Sequence, residues 1–176
     1  FETEDGRRIH ISWMGMPDCE EYTNPTIKDG WQHCFTFPRE VFVKDGKVCQ
    51  KPVRELDAKK QQLQDVQNEL TQSGCPVYEV NVDGIKENHF QAVLSDELIL
   101  DYENGRFQMH FTNKSKASVS TGRSLRYAKV DTLENVKILA DTSSVEVFVN
   151  DGEFVFSTRY YPNDYKIVVH SPNAHI

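Results

Sequence analysis

Three dipeptides of the kind that closes a tight β-hairpin constrain this chain more than any other feature. They are Asp45-Gly46, Asn104-Gly105 and Asp151-Gly152. The two central positions of a type I′ hairpin turn need positive φ, which Asn, Asp and Gly adopt at the least cost. Apolar residues typical of strands flank each dipeptide on both sides. The sequence therefore predicts three antiparallel hairpins centred on these turns.

The hairpin at Asn104-Gly105 predicts its own register. Folding the chain there brings apolar residues opposite one another on a single face, because side chains alternate along a strand. The predicted pairs are Tyr102 with Phe107, Leu100 with Met109 and Leu98 with Phe111. Turn chemistry and apolar pattern agree on one alignment.

The other two turns set registers in the same way. Around Asp151-Gly152 the apolar residues form one face, and Glu146 lies on the opposite face. The predicted apolar pairs there are Val149 with Phe154 and Val147 with Phe156. Around Asp45-Gly46, Lys44 lies opposite Lys47, a mildly repulsive pair.

One segment has the period of a helix. Between Val53 and Leu70 the apolar residues fall at helical spacing, Pro52 precedes the segment, and Ser73-Gly74 ends it. The other strand candidates are 7–14, 31–37, 76–82, 88–94, 118–129, 135–140 and 165–170. Short strands at this spacing predict an all-β protein, an antiparallel β-sandwich, with one short helix.

Composition excludes several classes of function. The formal net charge of −7 disfavours nucleic acid or an anionic membrane as the main partner, and no apolar run reaches the roughly 18 residues of a membrane span. The chain starts at Phe1 with no initiator Met or leader, so we expect it to be entered midway through a larger protein. Four cysteines form no C-x-x-C pair; free thiols in a cytoplasmic protein are expected, with secretion and one or two disulfides as the alternative.

Few side chains in the sequence suggest catalysis. Asp18, Glu20 and Glu21 are a dense acidic group, but their position between two prolines favours a solvated loop. A metal would need His33 and Cys34 together with His10 or Cys19, and that spacing matches no metal-binding template. We therefore expect no metal and no cofactor. The motif Asn113-Lys114-Ser115 is a glycosylation sequon that matters only in a secreted protein.

The two tryptophans, Trp13 and Trp31, are candidates for sugar contact. Each lies in or beside a predicted strand at the edge of a polar loop. An indole there can stack on a sugar ring while its N–H finds a partner, and the alternative is that both rings are core aromatics. The residues alone leave both interpretations open.

Several segments together resemble glycoside hydrolase family 32, the family of invertases, levanases, inulinases and sucrose-6-phosphate hydrolases. Residues 6–17 (GRRIHISWMGMP) and 30–40 (GWQHCFTFPRE) resemble the end of its catalytic domain. Residues 47–56 (KVCQKPVREL) resemble the segment that joins its two domains. Residues 141–153 (DTSSVEVFVNDGE) and 157–162 (STRYYP) resemble the signature of its C-terminal β-sandwich. From Trp13 to Leu56 the sequence is most similar to that of bacterial sucrose-6-phosphate hydrolases.

The resemblance implies a β-propeller of five blades followed by a jelly-roll-like β-sandwich. Residues 1–43 would then be a remnant of the final propeller blade, and 44–176 the linker, helix and sandwich. The family's catalytic motifs, N-D-P-N, R-D-P and E-C, do not occur here. Asn163-Asp164 is followed by Tyr165 instead of Pro, no Arg-Asp pair occurs, and in Cys19-Glu20 the two residues of E-C stand in the reverse order. The resemblance therefore implies a retaining β-fructofuranosidase segment with no catalytic residue, inactive alone.

The resemblance also implies roles for a few residues. Trp13 matches a family tryptophan that lines the fructosyl pocket, although Ser12 replaces a frequent glycine. Pro38-Arg39-Glu40 and Arg159 match motif positions that we expect to be structural, between the domains.

Two hypotheses about partners follow from this. A fructoside would bind through the missing propeller, whereas a stand-alone sandwich would bind carbohydrate or a protein without catalysis. Residues 1–37 distinguish the two, because a free-standing module has no use for orphan propeller strands. In the isolated chain we expect those strands to pair with a second copy, giving a homodimer, or to lose their order.

Overall fold

The computed structural model describes residues 1–15, 24–61, 64–86, 89–112 and 124–176. In these ranges the helical elements are two 3₁₀ helices, Pro25–Asp29 and Arg54–Lys59. None of the helices described there combines the length and the apolar character that crossing a membrane takes. The strands, in chain order, are β1 (Arg8–His10), β2 (Trp13–Met14), β3 (Cys34–Phe35), β4 (Arg39–Lys44), β5 (Lys47–Pro52), β6 (Gln67–Gln72), β7 (Tyr78–Asp83), β8 (Phe90–Leu94), β9 (Leu98–Glu103), β10 (Arg106–Phe111), β11 (Leu125–Lys129), β12 (Asn135–Asp141), β13 (Ser144–Val149), β14 (Phe154–Arg159) and β15 (Ile167–His175).

Ten strands, β6 to β15, form one large antiparallel sheet. Its order is β11-β10-β9-β8-β15-β7-β12-β13-β14, and β6 pairs with β15 off this path. The two ends approach each other, since Arg126 of β11 donates to the Ser157 carbonyl at 2.8 Å and to Thr158 Oγ1 at 2.7 Å. The sheet is therefore nearly closed around its core. The predicted all-β, antiparallel fold is confirmed.

The core lies inside this sheet, on the faces that the hairpin patterns predicted. Leu98, Leu100, Phe107 and Met109 are fully buried. The Phe107 ring centroid lies 5.4 Å from that of Phe156, which links the β9–β10 hairpin to β14. Apolar faces of two hairpins thus meet in one core, where burial of apolar area is the main stabilising term.

The predicted registers of all three hairpins are confirmed. In each case the turn leaves the two strands in the alignment that places apolar side chains on a common face. The observed pairs are Tyr102 with Phe107, Leu100 with Met109, Leu98 with Phe111, Val149 with Phe154, Val147 with Phe156 and Lys44 with Lys47.

The helix predicted from Val53 to Leu70 is wrong over most of its described length. Only Arg54–Lys59 is helical, as a 3₁₀ helix, and Gln67–Gln72 forms β6 instead. Leu70 lies opposite Val169 of β15 and is buried in the core. Pairing with a long strand satisfies the backbone of β6 and buries its one core residue, whereas a lone polar helix would gain little burial.

Residues 1–52 form two smaller sheets beside the large one. Strands β1, β4 and β5 make a three-stranded sheet, and β2 pairs with β3 in a two-residue ribbon. The predicted strands 7–14 and 31–37 are thus shorter than expected, and residues 118–123 of another lie outside the described residues. The expected domain boundary at 43/44 falls inside the β4–β5 hairpin. The division into domains stays a prediction.

Candidate functional site

Trp13 lies on the outer side of the β2–β3 ribbon. It pairs with Phe35, and alternation along the strand buries its neighbour Met14 while leaving Trp13 55% exposed. The indole folds over Gly15, because a Cβ built on that glycine would lie 2.0 Å from Trp13 Cζ2. The missing side chain of Gly15 therefore gives the ring room to lie along the strand.

Trp13 is part of an exposed surface that we call the aromatic face and define as Ile11, Trp13, His33 and Phe35. All four side chains are exposed. The His33 ring meets the indole edge to face, with centroids 5.0 Å apart and planes at 78°. Contiguous exposed apolar side chains are a feature of binding surfaces, which makes this face a candidate site. The structure thus joins Trp13 to His33, which the sequence analysis considered only as a metal ligand.

The inner side of the ribbon is tied to its surroundings by hydrogen bonds. Ser12 N–H donates to Thr36 Oγ1 at 3.0 Å, and Thr36 N–H donates to the Ser12 carbonyl at 2.9 Å. Cys34 is half-buried and its Sγ lies 4.0 Å from Met14 Sδ. Burial raises the pKa of the Cys34 thiol, against the opposing effect of the Arg159 charge.

Arg159, at the end of β14, reaches from the large sheet to residues 31–34. Its Nη1 donates to the Gln32 carbonyl and to Cys34 Sγ, both at 3.2 Å, and its Nε donates to the Ser143 carbonyl at 3.0 Å. The guanidinium carbon lies 5.0 Å from the Trp31 ring centroid. Trp31 is therefore a neighbour of Arg159 rather than a member of the aromatic face. This placement agrees with the expected structural role of Arg159.

Arg39 makes the second tie between β4 and the large sheet. Its Nε donates to Glu146 Oε2 at 2.9 Å and its Nη2 at 2.5 Å, while Phe37 N–H donates to Glu146 Oε1 at 2.6 Å. Both charged side chains are almost fully buried. Burial raises the pKa of Glu146, and the Arg39 charge opposes that shift. Since neither group has the exposure to act on a substrate, the pair is a structural anchor.

The tips of two hairpins make the third tie. Gln50 N–H of β5 donates to the Gly152 carbonyl at 3.0 Å. Lys44 pairs with Asp151 at 2.8 Å, and Lys47 pairs with Glu153. The carboxylates of the β13–β14 turn therefore offset the repulsion expected between the two lysines.

The acidic residues and the sequon considered in the sequence analysis cannot be compared with the structure. Asp18, Glu20, Glu21, Cys19 and the sequon at Asn113 lie outside the described residues. His10 is exposed and its Nε2 contacts Ser12 Oγ. Within the described ranges, His, Cys, Asp and Glu side chains form no group of three that could hold a metal.

Comparison with known sequences connects this arrangement to one family. The profile described as "Glycosyl hydrolases family 32 N-terminal domain" matches residues 1–52, and "Glycosyl hydrolases family 32 C terminal" matches residues 90–174. Two parts of one family occur here in their proper order. The chain belongs to glycosyl hydrolase family 32.

Individual relatives agree with this assignment. Raffinose invertase of Escherichia coli is 34% identical over 172 residues, covering 90% of this chain and 35% of that protein. Sucrose-6-phosphate hydrolase of Bacillus subtilis is 30% identical over 170 residues, covering 92% of this chain and 35% of that protein. The chain thus spans about a third of the length of the curated relatives it matches.

Solved structures share the fold. Sucrose-6-phosphate hydrolase from Lactobacillus gasseri superposes with a TM-score of 0.77 at 22% identity, covering 98% of this chain and 38% of that one. A glycoside hydrolase family 32 protein from Bifidobacterium adolescentis gives a TM-score of 0.79 at 20% identity, covering 100% of this chain and 29% of that one. These likenesses support the architecture described above.

The sequence predicts Trp13 as a candidate sugar contact, but it does not predict the partners that hold Trp13 and its sheet in place. Glu146 was assigned only to the face opposite Val147, and its pairing with Arg39 was not predicted. A signal was present: Glu146 stands within the apolar run of β13, whose residues are all buried. A charged residue inside a strand buried on both faces requires a partner.

Proposed function

We propose that this chain is the C-terminal segment of a retaining β-fructofuranosidase that hydrolyses sucrose or sucrose 6-phosphate. Residues 1–43 would complete the last propeller blade, and residues 44–176 would supply the linker, the 3₁₀ helix and the sandwich. The observation that carries the proposal is the occurrence of both family profiles in order along one chain. The names of the relatives supply the substrate class.

Within that enzyme the segment would support substrate binding without performing the chemistry. Retaining glycoside hydrolysis needs two carboxyl groups about 5–5.5 Å apart across the scissile bond. The family motifs that carry them do not occur in the 176 residues. We therefore expect the purified chain to release no fructose from sucrose, sucrose 6-phosphate or inulin. Turnover above a heat-killed control on any of the three would contradict this.

Trp13 would contact the fructosyl unit. Its indole is half-exposed, lies over Gly15 and makes a T-shaped contact with the His33 ring. An aromatic ring presented in this way offers a stacking surface to the apolar face of a sugar, and its N–H offers a donor. The side chain is thus poised for a ligand rather than for core packing.

The test is Trp13→Ala in the full-length enzyme. Losing the stacking face and the N–H should cost about 2–4 kcal/mol of transition-state binding, a decrease in kcat/KM of roughly 30- to 1000-fold. Trp13→Phe keeps an aromatic ring without the N–H, and its kcat/KM should lie between those of the wild type and Trp13→Ala. A kcat/KM within about threefold of wild type for Trp13→Ala, at unchanged thermal stability, would remove Trp13 from the site.

We also propose a cytoplasmic location, with secretion as the alternative. The thiols of Cys34, Cys49 and Cys75 are free. Free thiols persist in a reducing compartment, whereas a secreted protein tends to pair them. Titration of the purified, unreduced chain with a thiol reagent after unfolding tests this, because disulfide-bonded cysteines would not react.

A further inference from the structure

We propose that Arg159 is a positioning residue for Trp13, through which the large sheet fixes the orientation of the aromatic face. The inference rests on the proposed role of Trp13 as a substrate contact. By this proposal, Arg159 contacts neither the indole of Trp13 nor the substrate. It acts by holding the Gln32 carbonyl and the Cys34 side chain, one on each side of His33, and the His33 ring in turn contacts Trp13.

The grip on residues 32–34 is direct. Arg159 Nη1 donates to the Gln32 carbonyl and to Cys34 Sγ, both at 3.2 Å. These residues are the two chain neighbours of His33. Gln32 and Cys34 are half-buried, whereas His33 between them is exposed. Fixing both neighbours therefore restricts the directions that the His33 side chain can take. The His33 ring then lies against the indole of Trp13, 5.0 Å between centroids.

The guanidinium itself is immobilised by the large sheet. Its Nε donates to the Ser143 carbonyl at 3.0 Å and its Nη2 to Ser143 Oγ at 3.3 Å. The rings of Trp31 and Tyr161 lie 5.0 Å and 5.1 Å from its central carbon. With Arg159 only 3% exposed, its position is set before any ligand arrives. A planar fork held in this way fixes direction as well as distance, which a lysine cannot do.

A second contact fixes the other end of the same segment. Tyr161 OH donates to Asn24 Oδ1 at 2.9 Å, and both residues are buried. Between these two attachments lies the first 3₁₀ helix, ended by Gly30 in the left-handed conformation. The segment that carries His33 is therefore anchored at both ends by neighbouring residues of the C-terminal part. Rigid support of this kind maintains a contact residue in its productive geometry.

The 176-residue chain allows a spectroscopic test without activity, because it has only two tryptophans. In a Trp31→Phe background Trp13 is the sole indole, and the ring beside Arg159 is kept. The variants are Arg159→Met and Arg159→Lys. The matched control is Arg126→Met, since Arg126 also donates to a backbone carbonyl of β14, that of Ser157. The readouts are Trp13 fluorescence anisotropy and amide hydrogen exchange of residues 31–36, compared between samples that light scattering shows to be in the same oligomeric state.

Arg159→Met should accelerate exchange of residues 31–36 by about tenfold, the effect of losing one hydrogen bond from a charged donor, and lower Trp13 anisotropy. Arg159→Lys should lie between wild type and Arg159→Met, and Arg126→Met should change neither readout. His33→Ala, which leaves Arg159 intact, should lower the anisotropy without accelerating exchange. Unchanged anisotropy in Arg159→Met, or an equal change in Arg126→Met, would overturn the proposal. If Arg159→Met does not fold, Arg159→Lys and His33→Ala decide the question alone.

A double-mutant cycle in the full-length enzyme separates this inference from the proposed function. Arg159→Met should lower kcat/KM by about tenfold in the wild-type background and by less than twofold in the Trp13→Ala background, because both changes remove one arrangement. Equal losses in both backgrounds would mean a general structural role and overturn the positioning. If Trp13→Ala itself has no effect, the proposed function of Trp13 fails, while the spectroscopic test still decides whether Arg159 positions the ring.

Discussion

Replacing Gly152 by alanine should separate the β13–β14 turn from β5. Gly152 has φ +87°, and a Cβ built there would lie 1.6 Å from the Gln50 carbonyl oxygen and 2.6 Å from its carbon. The obstacle is backbone rather than the end of a flexible side chain, so one hairpin tip must move away. The hydrogen bond from Gln50 N–H to the Gly152 carbonyl, 3.0 Å long, is then lost.

The magnitude follows from two contributions. Alanine in the left-handed conformation costs about 1–2 kcal/mol, and the lost hydrogen bond about 0.5–1.5 kcal/mol more. We expect Gly152→Ala to lower the free energy of unfolding by about 1.5–3.5 kcal/mol in total, and the exposed ion pairs at the tips to add little. Gly105→Ala is the matched control: its φ is +75°, but its nearest contact is the Val130 carbonyl at an ordinary 3.7 Å. It should cost only the conformational part, about 1–2 kcal/mol.

Urea unfolding of the 176-residue chain measures both values, and hydrogen exchange of β5 locates the effect. Each kcal/mol should shift the midpoint of thermal unfolding by about 2–4 °C in a chain of this size. Exchange in β5 should rise in Gly152→Ala and stay at the wild-type level in Gly105→Ala. Equal destabilisation by the two substitutions, with β5 protected in both, would refute the reasoning, because the close approach to Gln50 would then have no energetic consequence.

Three further predictions concern the ties of residues 1–52. Arg39→Met leaves Glu146 buried without its charged partner and should lower the free energy of unfolding by about 3–5 kcal/mol. The double variant Arg39→Met/Glu146→Leu should recover most of that stability. Additive losses of stability in urea titrations would contradict the pairing. Hydrogen bonds from Thr3 and Arg7 lower the pKa of Asp5 to about 2, and a hydrogen bond from Arg7 lowers the pKa of Glu55 to about 2. Both pKa values in the folded chain lie below the ordinary values near 4, so the stabilisation from these groups is complete above pH 5 and is lost as the pH falls from about 4 through 2. In the wild type, the protection of the β1 amides against hydrogen exchange, corrected for intrinsic exchange, should fall over that pH range. The same decrease in Arg7→Met would exclude the mechanism. The isolated chain should self-associate through the aromatic face, and Trp13→Ser/Phe35→Ser should shift it to monomer in size-exclusion chromatography with light scattering; an already monomeric wild type would rule this out.

Local information in the sequence predicted much of the fold. At Asn104-Gly105 the turn type and the alternation of apolar residues act within a few positions of each other, so they determine the register without knowledge of the rest. The segment that forms β6 behaves differently. Its polar residues and its spacing favour a helix, and only the distant strand β15 makes an extended conformation favourable. Tertiary pairing overrides such weak local preferences.

The candidate site was predictable only in part, for the same reason. The family resemblance identified Trp13 by its motif. The side chains that hold it depend on contacts between distant segments. A single sequence can show that a residue such as Glu146 needs a partner, but it does not show which residue that partner is. Arg159 and Gln32 are 127 positions apart, and Arg39 and Glu146 are 107 apart. The sequence therefore proposes Trp13 as a contact residue, and the structure adds the side chains that hold its surroundings in place.

The long separation of these partners has a consequence for exchanging parts between relatives. A chimera joined near residue 60 would take Arg39, Gln50 and Gln32 from one parent and Glu146, Gly152 and Arg159 from the other. Each parent would contribute one partner of every contact. A buried arginine without its matching carboxylate lowers the stability more than the change of sequence at the junction does. A graft that moves residues 24–61 together with the large sheet takes both partners of each contact from the same parent. Compatibility between donor and acceptor is thus decided at the contact between the sheets and not at the connecting segment.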